Sequence, residues 1–378
     1  MITPEALRER FIPFASLRYS TDAFIDYCLP ECQPKYNYAL IGPGVSQNPN
    51  QPVSLREPHG FQVGGVSIGQ GKINPPHMHF TCEVFICTRG DWRIQWGFNP
   101  EASSADIGDG DIVSVPTWLY RGFTNIGVDD GFMFTALGGD ATGGILWGPS
   151  TLAAAERQGV LLTEDHQIID SRRGDVMPPG ARCMTPMTAD EIAELRVWPP
   201  KDMASRIARF AQLHWSQHGL LDSALPGCGG QLAAVVGLGM AQDRNLLAPV
   251  HNAHGLSIEW LRLPAGGQVS RHRLQEKQVL ITKAGCIDVT VDTSAGPVTH
   301  TTTGTATAWD SFSLPPLEWR SLRNCGAGEA LGLLLTAGDQ RKAIEWDDAV
   351  VQAAQAKGQV IDANGYVAPK RFVDRAQR

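Results

Sequence analysis

The sequence lacks the features that mark several protein classes. No apolar run approaches the roughly 20 residues of a membrane span, and the first residues show no basic segment followed by an apolar core. The formal net charge of −7 and the absence of basic runs argue against nucleic acid or an anionic membrane as a partner. We therefore expect a cytoplasmic chain without a signal peptide, with no nucleic-acid partner and no membrane association.

Motifs for several chemistries are also missing. The eight cysteines are scattered and include no C-x2-C pair, so reduced thiols are expected rather than a disulfide framework or a zinc cluster. No phosphate-cradling glycine loop, Gly-x-Ser-x-Gly motif or paired-carboxylate motif occurs.

What the sequence does contain is typical of a β-rich globular protein. Hydrophobic residues make up 43% and charged residues 19% of the 378 residues, and glycine (40) and proline (25) are frequent. From Gly60 to about Gly139, short apolar runs are broken by Gly, Pro and Asp, a pattern that predicts short strands at regular spacing. Such a pattern is typical of a barrel or jelly roll.

One stretch within this region carries a candidate metal site. His77, His79 and Glu83 have the same parity in sequence, so a β conformation would project all three to one face. Two imidazoles and one carboxylate suit a divalent transition metal, and the same set forms the facial triad of non-haem iron sites. That triad leaves coordination positions free for a substrate and for dioxygen.

The spacing Gly71-x5-His77-x-His79-x3-Glu83-x6-Gly90 resembles the first signature of the cupin family at every position. This resemblance implies a double-stranded β-helix, or jelly-roll, barrel that binds a metal through His77, His79 and Glu83.

The stretch from Gly110 through Pro116 to Asn125 resembles the second cupin signature, with two departures. Trp118 stands where the family usually has Gly, and Arg121 stands where it usually has a fourth ligand, His.

The chain also resembles itself. His254-Gly255 follow His59-Gly60 by 195 residues, and after a length difference in one hairpin the offset becomes 199, as between Arg121 and Arg320. This register predicts two tandem cupin barrels, each followed by a helix, with a helical connector between them. The predicted segments are an N-terminal arm (1–58), barrel 1 with the metal site (59–140), a helix and helical connector (141–253), barrel 2 with a degenerate site (254–340), and a C-terminal helix and tail (341–378).

In the second copy the triad positions hold His272, Leu274 and Gln278. An imidazole, a leucine and an amide cannot hold a divalent ion well, so we place the metal in the first barrel. The second barrel is interpreted as a structural partner, with a ligand pocket as the alternative.

Arg121 is the candidate catalytic residue, because its bidentate fork could clamp an anionic substrate that also binds the metal. The alternative is a structural role, since Arg320 occupies the same place in the copy without ligands. Trp118, Tyr120 and Gln95 are further candidates for substrate binding. Rim packing is the alternative for the two aromatic residues, and the pattern does not decide whether Gln95 faces inward.

Three functions follow as hypotheses. The first is a dioxygenase with one divalent metal per chain, favouring Fe(II) with Mn, Ni or Zn as alternatives, because a two-barrel chain with one N-terminal site resembles gentisate and 1-hydroxy-2-naphthoate dioxygenases. Its substrates would be dioxygen and a hydroxylated aromatic acid or an enolisable diketone. The second is a non-redox isomerase, lyase or decarboxylase in which the metal acts as a Lewis acid.

The third hypothesis is a non-enzymatic small-molecule-binding protein like the metal-free seed globulins. Whatever the activity, the resemblance to two-barrel cupins implies a homodimer or a larger homo-oligomer.

Overall fold

Strands dominate the computed structural model, which describes residues 1–98, 103–251 and 253–376. The prediction of a mainly β fold with two jelly-roll barrels is confirmed. The strands are β1 (Phe11–Ile12), β2 (Tyr19–Ser20), β3 (Lys35–Ile41), β4 (Val53–Leu55), β5 (Phe61–Ile68), β6 (Ile73–His79), β7 (Glu83–Arg89), β8 (Trp92–Trp96), β9 (Ser103–Ile107), β10 (Ile112–Val115), β11 (Arg121–Asn125), β12 (Gly131–Gly138), β13 (Ile145–Trp147), β14 (Val160–Leu162), β15 (Ile168–Asp170), β16 (Ile207–Ala208), β17 (Gln231–Val236), β18 (Leu256–Leu263), β19 (Gln268–Arg273), β20 (Gln278–Thr293), β21 (Gly296–Gly304), β22 (Ser311–Leu314), β23 (Arg320–Asn324), β24 (Ala330–Ala337), β25 (Glu345–Trp346), β26 (Gln359–Ile361) and β27 (Val367–Pro369).

The helices are short. They are α1 (Pro4–Arg8), α2 (Pro149–Arg157), α3 (Ala189–Ala193), α4 (Pro200–Ala204), α5 (Asp348–Ala356) and α6 (Lys370–Ala376). Single 3-10 turns span Phe14–Ser16, Ile25–Cys28, Pro30–Cys32, Ser171–Arg173 and Phe210–Gln212. Among the described residues, none of these helices has the length and apolar character needed to cross a membrane.

Helices α2 and α5 confirm the prediction that each barrel is followed by a helix, and both end before a glycine of positive φ, Gly159 and Gly358. Helical periodicity also predicts a helix from Met203 to His214, and that prediction is wrong. Helix α4 ends at Ala204, and the chain then forms β16, which pairs with β10. The Arg206 side chain strengthens this pairing by donating to the carbonyl oxygen of Ser114 over 2.9 Å.

The chain divides into two units. One unit comprises residues 18–210, and the other comprises residues 1–17 together with residues 211–378. Strands β3 and β4, which lie within the predicted N-terminal arm, extend the sheet of the first unit, whereas β1 pairs with β22 in the second unit. The segment boundaries derived from the motifs stay a prediction.

In the first unit, two sheets enclose an apolar core, and all their strand pairs are antiparallel except β3 with β4. One has the strand order β16-β10-β7-β12-β5-β3-β2, with β4 beside β3, and the other has the order β13-β6-β11-β8-β9. Both sheets contribute to the core, for example Phe85 and Met133 from the first and Trp92 and Phe123 from the second. The candidate ligands lie at the end of β6 and the start of β7, so the interior of this barrel positions the site.

The second unit repeats this plan. Phe61 pairs with Gly138 in the first barrel, and Leu256 pairs with Ala337 in the second, which is the register that the sequence offsets require. The correspondence between the two units begins upstream of His59 and His254, the first residues matched in the sequence comparison. Gly42 and Gly44 correspond to Gly237 and Gly239, and all four have positive φ.

Asn125, at the end of β11, makes hydrogen bonds to the end of β5 and to the turn between β11 and β12. Its side-chain amide is buried, donates to the carbonyl oxygens of Ile68 and Asp129, and accepts from the backbone N–H of Gly127. Removing it takes one hydrogen bond from each of these three backbone groups, and the Gly127 N–H keeps a second one of 3.1 Å to the carbonyl oxygen of Asp91. Asn324 makes the corresponding bonds in the second barrel, so this amide is part of the shared frame.

We predict that Asn125→Ala lowers the free energy of unfolding by about 2–4 kcal/mol, because it removes three hydrogen bonds that each contribute about 0.5–1.5 kcal/mol. Urea unfolding followed by circular dichroism measures the change. Thr124→Ala is the control, since Thr124 makes an exposed hydrogen bond of 3.3 Å to Gln95, and we expect a loss below about 1 kcal/mol. Equal losses in the two variants would contradict the assignment.

Candidate metal centre

The two histidines and the glutamate converge as their parity predicts. His77 and His79 lie on β6, Glu83 begins β7, and one ligand atom of each residue lies within 4.8 Å of those of the other two. All three side chains are buried. Among the described residues, no other group of His, Cys, Asp or Glu side chains has this arrangement.

The outer nitrogens of both imidazoles face backbone carbonyl groups. His77 Nδ1 lies 2.9 Å from the carbonyl oxygen of Pro75, and His79 Nδ1 lies 3.2 Å from that of Gly144. A carbonyl oxygen only accepts, so each Nδ1 donates its proton and the Nε2 lone pair remains available. This is the tautomer that a metal-binding histidine needs.

Charged neighbours surround Glu83. Its Oε2 atom makes no hydrogen bond of good geometry and lies 3.4 Å from His79 Nε2 and 3.5 Å from Arg121 Nε. Burial alone raises the pKa of Glu83, but the interaction with His79 and the charge of Arg121 outweigh burial and lower it to about 2. Glu83 is therefore ionised at neutral pH.

The pKa of His77 lies well below its ordinary value because of burial and the nearby charges of His79 and Arg121, so this imidazole is neutral. Burial also lowers the pKa of Arg121, to about 10, which leaves the guanidinium charged. None of its three nitrogens makes a hydrogen bond, although the side chain is fully buried.

A divalent metal fits this donor set. Nε2 of His79 and a carboxylate oxygen of Glu83 lie 3.4 Å apart, and these two electron-pair donors need a cation between them, which is either a proton on Nε2 or a metal ion in its place. Metal–ligand bonds of about 2.0–2.2 Å bring neighbouring ligand atoms to about this separation. His77, His79 and Glu83 are the residues that would hold the ion.

A small cavity that is partly open to solvent adjoins the triad. Its volume is about 80 Å³, and its wall includes the triad and the side chains of Asn37, Tyr38, Gln51, Gln62, Asn74, Thr135, Leu137, Ile145 and Trp147. Most of this wall is apolar. The Nδ2 atom of Asn37 is a buried donor without a partner, so the cavity offers one fixed hydrogen-bond donor besides the triad.

The predicted substrate-binding residues do not share this cavity. Trp118 is 48% exposed, and its ring packs edge-on against Phe80 at 5.1 Å. Tyr120 is buried, and its hydroxyl donates to Met187 Sδ over 3.4 Å. Both instead line a second, apolar cavity of about 770 Å³ together with Trp198.

The backbone explains the unusual residue at position 118. Trp118 has φ +62°, and Leu317 at the same place of the second barrel has φ +64°. Glycine adopts this left-handed region without strain, which accounts for the glycine that the cupin signature usually has there. The chain keeps the turn with a larger residue in both copies.

Gln95 lies on the outside of its strand. Trp92, Ile94 and Trp96 are buried on β8, so the alternating residues Arg93 and Gln95 point to solvent. Gln95 therefore lies away from the triad. Of the four residues predicted for substrate binding, only Arg121 lies next to the ligands.

In the second barrel the equivalent positions form no metal site. His272 and Arg320 are buried like their counterparts, but Leu274 and Gln278 replace His79 and Glu83. Arg320 bonds to the carbonyl oxygen of Pro315 and lies 3.4 Å from the Gln278 oxygen, so it makes bonds that Arg121 does not make.

The interior of the second barrel is filled instead. Gln278 donates to Thr336 and to the sulfur of Met240, and the Met240 backbone N–H donates to the Glu259 carboxylate. Glu259 corresponds to Gly64 of the first barrel, where the smaller residue leaves room for the cavity. The substitution of glycine by glutamate thus occupies the space in which the first barrel holds its cavity.

Sequence reasoning missed Asn37, Lys35 and Asn74, which lie around the triad. Asn37 and Lys35 belong to β3, within a segment predicted as an arm. Asn74 lies inside the first motif, but no spacing rule distinguishes it. Extending the comparison of the two copies upstream to β3 could have found Lys35 and Asn37, which Gly230 and Leu232 replace in the second copy, whereas Asn74 and its counterpart Val269 lie within the stretch already compared.

The comparisons with known proteins identify the fold. No family model matches the chain, and no curated protein is similar to it in sequence. Solved structures are similar over most of the chain. Oxalate decarboxylase of Lactobacillus farciminis, in a formate complex, has 12% identity and a TM-score of 0.55, with 90% of this chain and 89% of that chain covered.

Two further structures agree. Oxalate decarboxylase of Bacillus subtilis has 13% identity and a TM-score of 0.52, covering 97% of this chain and 84% of that one. Vicilin of tomato has 9% identity and a TM-score of 0.53, covering 89% and 87%. At such identities the likeness shows the fold alone, a bicupin of two tandem cupin barrels. It does not support the narrower resemblance to gentisate and 1-hydroxy-2-naphthoate dioxygenases.

We predict that His79→Ala and Glu83→Ala each abolish metal retention, because each substitution leaves only two protein ligands for the ion. Elemental analysis of purified protein measures the metal per chain. His272→Ala is the matched control in the second barrel, and it should retain the wild-type amount. Metal retained after both first-barrel substitutions would mean that the ligands are misassigned.

Glu259 makes the stability depend on pH. Burial raises the pKa of Glu259 from 4.5 to about 8, so between these pH values the folded chain holds a proton that the unfolded chain releases. The stabilisation is complete below pH 4.5 and is lost as the pH rises towards 8. We predict that Glu259→Gln reduces the fall in unfolding free energy between pH 5 and 8.

Urea titrations at both pH values test this prediction. Glu329→Gln, at a half-exposed carboxylate on the same unit, is the control and should keep the wild-type pH dependence. An identical pH dependence in wild type and Glu259→Gln would show that Glu259 is ionised in the folded protein.

Proposed function

We propose that the chain is a metal-dependent enzyme that converts a small carboxylate without net oxidation, as a lyase, decarboxylase or isomerase. The observation that carries this proposal is the buried triad beside a small cavity of about 80 Å³. An apolar cavity that accepts benzene has about 150 Å³, about twice the space beside the triad. A substrate of a few heavy atoms fits better.

The charges of the site favour an anion. Glu83 and Arg121 carry opposite charges 3.5 Å apart and cancel, and His77 is neutral. A divalent metal bound between neutral imidazoles and Glu83 leaves two positive charges uncompensated in a buried site. Uncompensated buried charge is costly, so an anionic substrate stabilises the loaded site, and a small carboxylate meets both requirements.

A bound divalent metal supplies a Lewis acid that polarises a carboxyl or carbonyl oxygen. The residues of the chain provide the remainder. Arg121 attracts the anion and, after His79, contributes to the low pKa of Glu83, and Asn37 Nδ2 presents a donor to a substrate oxygen. The largely apolar wall lowers the local dielectric constant, which strengthens each of these electrostatic interactions.

The structural neighbours are consistent with this choice, because two of them are oxalate decarboxylases by name. Oxalate is a dianion of six heavy atoms, and it belongs at the head of a substrate panel. The similarity shows the fold alone, so the panel also includes other small mono- and dicarboxylates.

A dioxygenase is the second candidate. The observation in its favour is the set of two histidines and one carboxylate, which leaves adjacent coordination positions open, as in non-haem iron oxygenases. Fe(II) is the metal of this candidate, whereas Mn, Ni or Zn equally serve the first.

The experiment loads the protein with each metal in turn, confirms occupancy by elemental analysis, and follows the panel by NMR and an oxygen electrode together. We expect loss of a small carboxylate without stoichiometric oxygen uptake. Product formed only from hydroxylated aromatic acids or diketones, with one oxygen consumed per turnover, would establish the dioxygenase instead. If the chain holds no metal after loading, the result would favour the third hypothesis, a non-enzymatic small-molecule-binding protein.

We predict that Arg121→Gln raises the KM for the carboxylate at least about 30-fold, equivalent to about 2 kcal/mol, because truncating one charge of a buried pair costs at least this much. Metal content should stay unchanged, since Arg121 is not a ligand. Arg320→Gln is the matched control at the same position of the second barrel, and its KM should equal that of wild type. An unchanged KM in Arg121→Gln would leave Arg121 with a structural role only.

A further inference from the structure

The hairpin between β14 and β15 holds a histidine in an unusual backbone conformation. The N–H of His166 donates to the carbonyl oxygen of Thr163 over 2.9 Å, and His166 has φ +61°. Glycine adopts this left-handed conformation freely, whereas the Cβ atom of a larger residue makes it costly. The turn alone therefore gives no reason for a histidine at this position.

The second barrel builds the same hairpin with glycine. Between β26 and β27, Gly365 stands 199 residues after His166, and its N–H donates to the carbonyl oxygen of Asp362 over 2.8 Å. The φ angle of Gly365 is +77°. The residue that suits the turn is present in the copy without ligands, and the first barrel has a less favourable residue in its place.

The His166 ring packs against the backbone of Gly144. A Cβ atom on Gly144 would lie 2.8 Å from both Cε1 and Nε2 of this ring, closer than a real Cβ atom approaches. On the preceding residue, Gly143, a Cβ atom would lie 2.9 Å from the side chain of Phe80. Two aromatic side chains therefore pack against consecutive glycines, and the absence of Cβ atoms permits this close approach.

Gly144 also holds a metal ligand. Its carbonyl oxygen lies 3.2 Å from Nδ1 of His79 and accepts the Nδ1 proton, which leaves Nε2 of His79 for the metal. This distance is at the upper end of the normal range for such a bond. The orientation of the His79 ring therefore depends on the position of this carbonyl group, and the His166 ring confines the residue that carries it.

The second barrel provides an internal comparison. Its residues at the places of His79, Gly144 and His166 are Leu274, Ala343 and Gly365. The leucine has no ring nitrogen to orient. The histidine in the hairpin and the glycine beneath it thus occur in the copy that has the ligand, and both are replaced in the copy that lacks it.

We propose that His166 is a positioning residue whose ring confines the Gly144 carbonyl group and so keeps the His79 imidazole aimed at the metal. The proposal rests on the metal site of the proposed function. It explains why the first barrel has a histidine where the turn favours glycine. It concerns metal affinity and ligand geometry, and the substrate and the reaction do not enter it.

The test compares wild-type protein with His166→Gly, which introduces the residue of the second barrel and suits the turn. Co(II) affinity is measured by competition with a chelator. We expect Co(II) binding about 3–10-fold weaker, because the effect passes through the Gly144 backbone. Loss of a group bonded directly to a ligand costs roughly 10–100-fold.

Proton NMR of the Co(II)-loaded protein reports the ligand geometry. The Nδ1 protons of His77 and His79 should give two exchangeable signals shifted by the paramagnetic ion. In His166→Gly, the signal of His79 should shift and broaden through exchange with water, because its acceptor is no longer confined, and the signal of His77 should stay unchanged. A structural role of His166 without influence on the ligand would leave both signals as in wild type.

Two further variants test the contact itself. His166→Phe keeps a ring against Gly144 without the imidazole nitrogens, so its Co(II) affinity should equal that of wild type. Asp165→Ala, at the exposed neighbour in the same turn, is the control and should change neither the affinity nor the two signals. Affinity in His166→Phe as weak as in His166→Gly would overturn the assignment of the ring contact.

Two failures are distinguishable. Wild-type protein that binds no Co(II) would refute the metal site, and with it the proposed function. Wild-type protein that binds Co(II), together with unchanged affinity and unchanged signals in His166→Gly, would refute only the positioning role.

Discussion

Three electron-pair donors meet in the interior of one barrel, and the surrounding structure depends on holding them together. The imidazoles of His77 and His79 and the carboxylate of Glu83 repel one another unless a cation lies among them. Arg121 offsets part of the negative charge from outside the ligand set. Backbone carbonyl groups keep both Nδ1 atoms protonated, so the donor atoms all face the same point.

The duplicated barrel separates what the fold needs from what the site needs. Asn125 and Asn324 make the same bonds, and the turn at Trp118 recurs at Leu317, so these features belong to the shared frame. The second barrel fills its interior with Met240 and Glu259, where the first has Gly64 and a cavity. A jelly roll therefore does not require the metal site.

The local pattern of the sequence was sufficient for the strands, the triad and the duplication, because parity and spacing determine which side chains share a face. It could not decide the direction of Gln95, since an alternating strand has two faces and only packing shows which is buried. The predicted helix from Met203 failed because pairing of β16 with β10 outweighs helical periodicity. The contact between Lys35 and Asn74 was not predicted, because it joins positions 39 residues apart in the chain.

The most direct test of the account is anomalous diffraction from crystals of the metal-loaded protein, recorded on both sides of the absorption edge of the metal. The account predicts one strong peak per chain, bonded to Nε2 of His77, Nε2 of His79 and a carboxylate oxygen of Glu83. A peak beside His272 in the second barrel, or fully loaded protein with no peak at the triad, would contradict it.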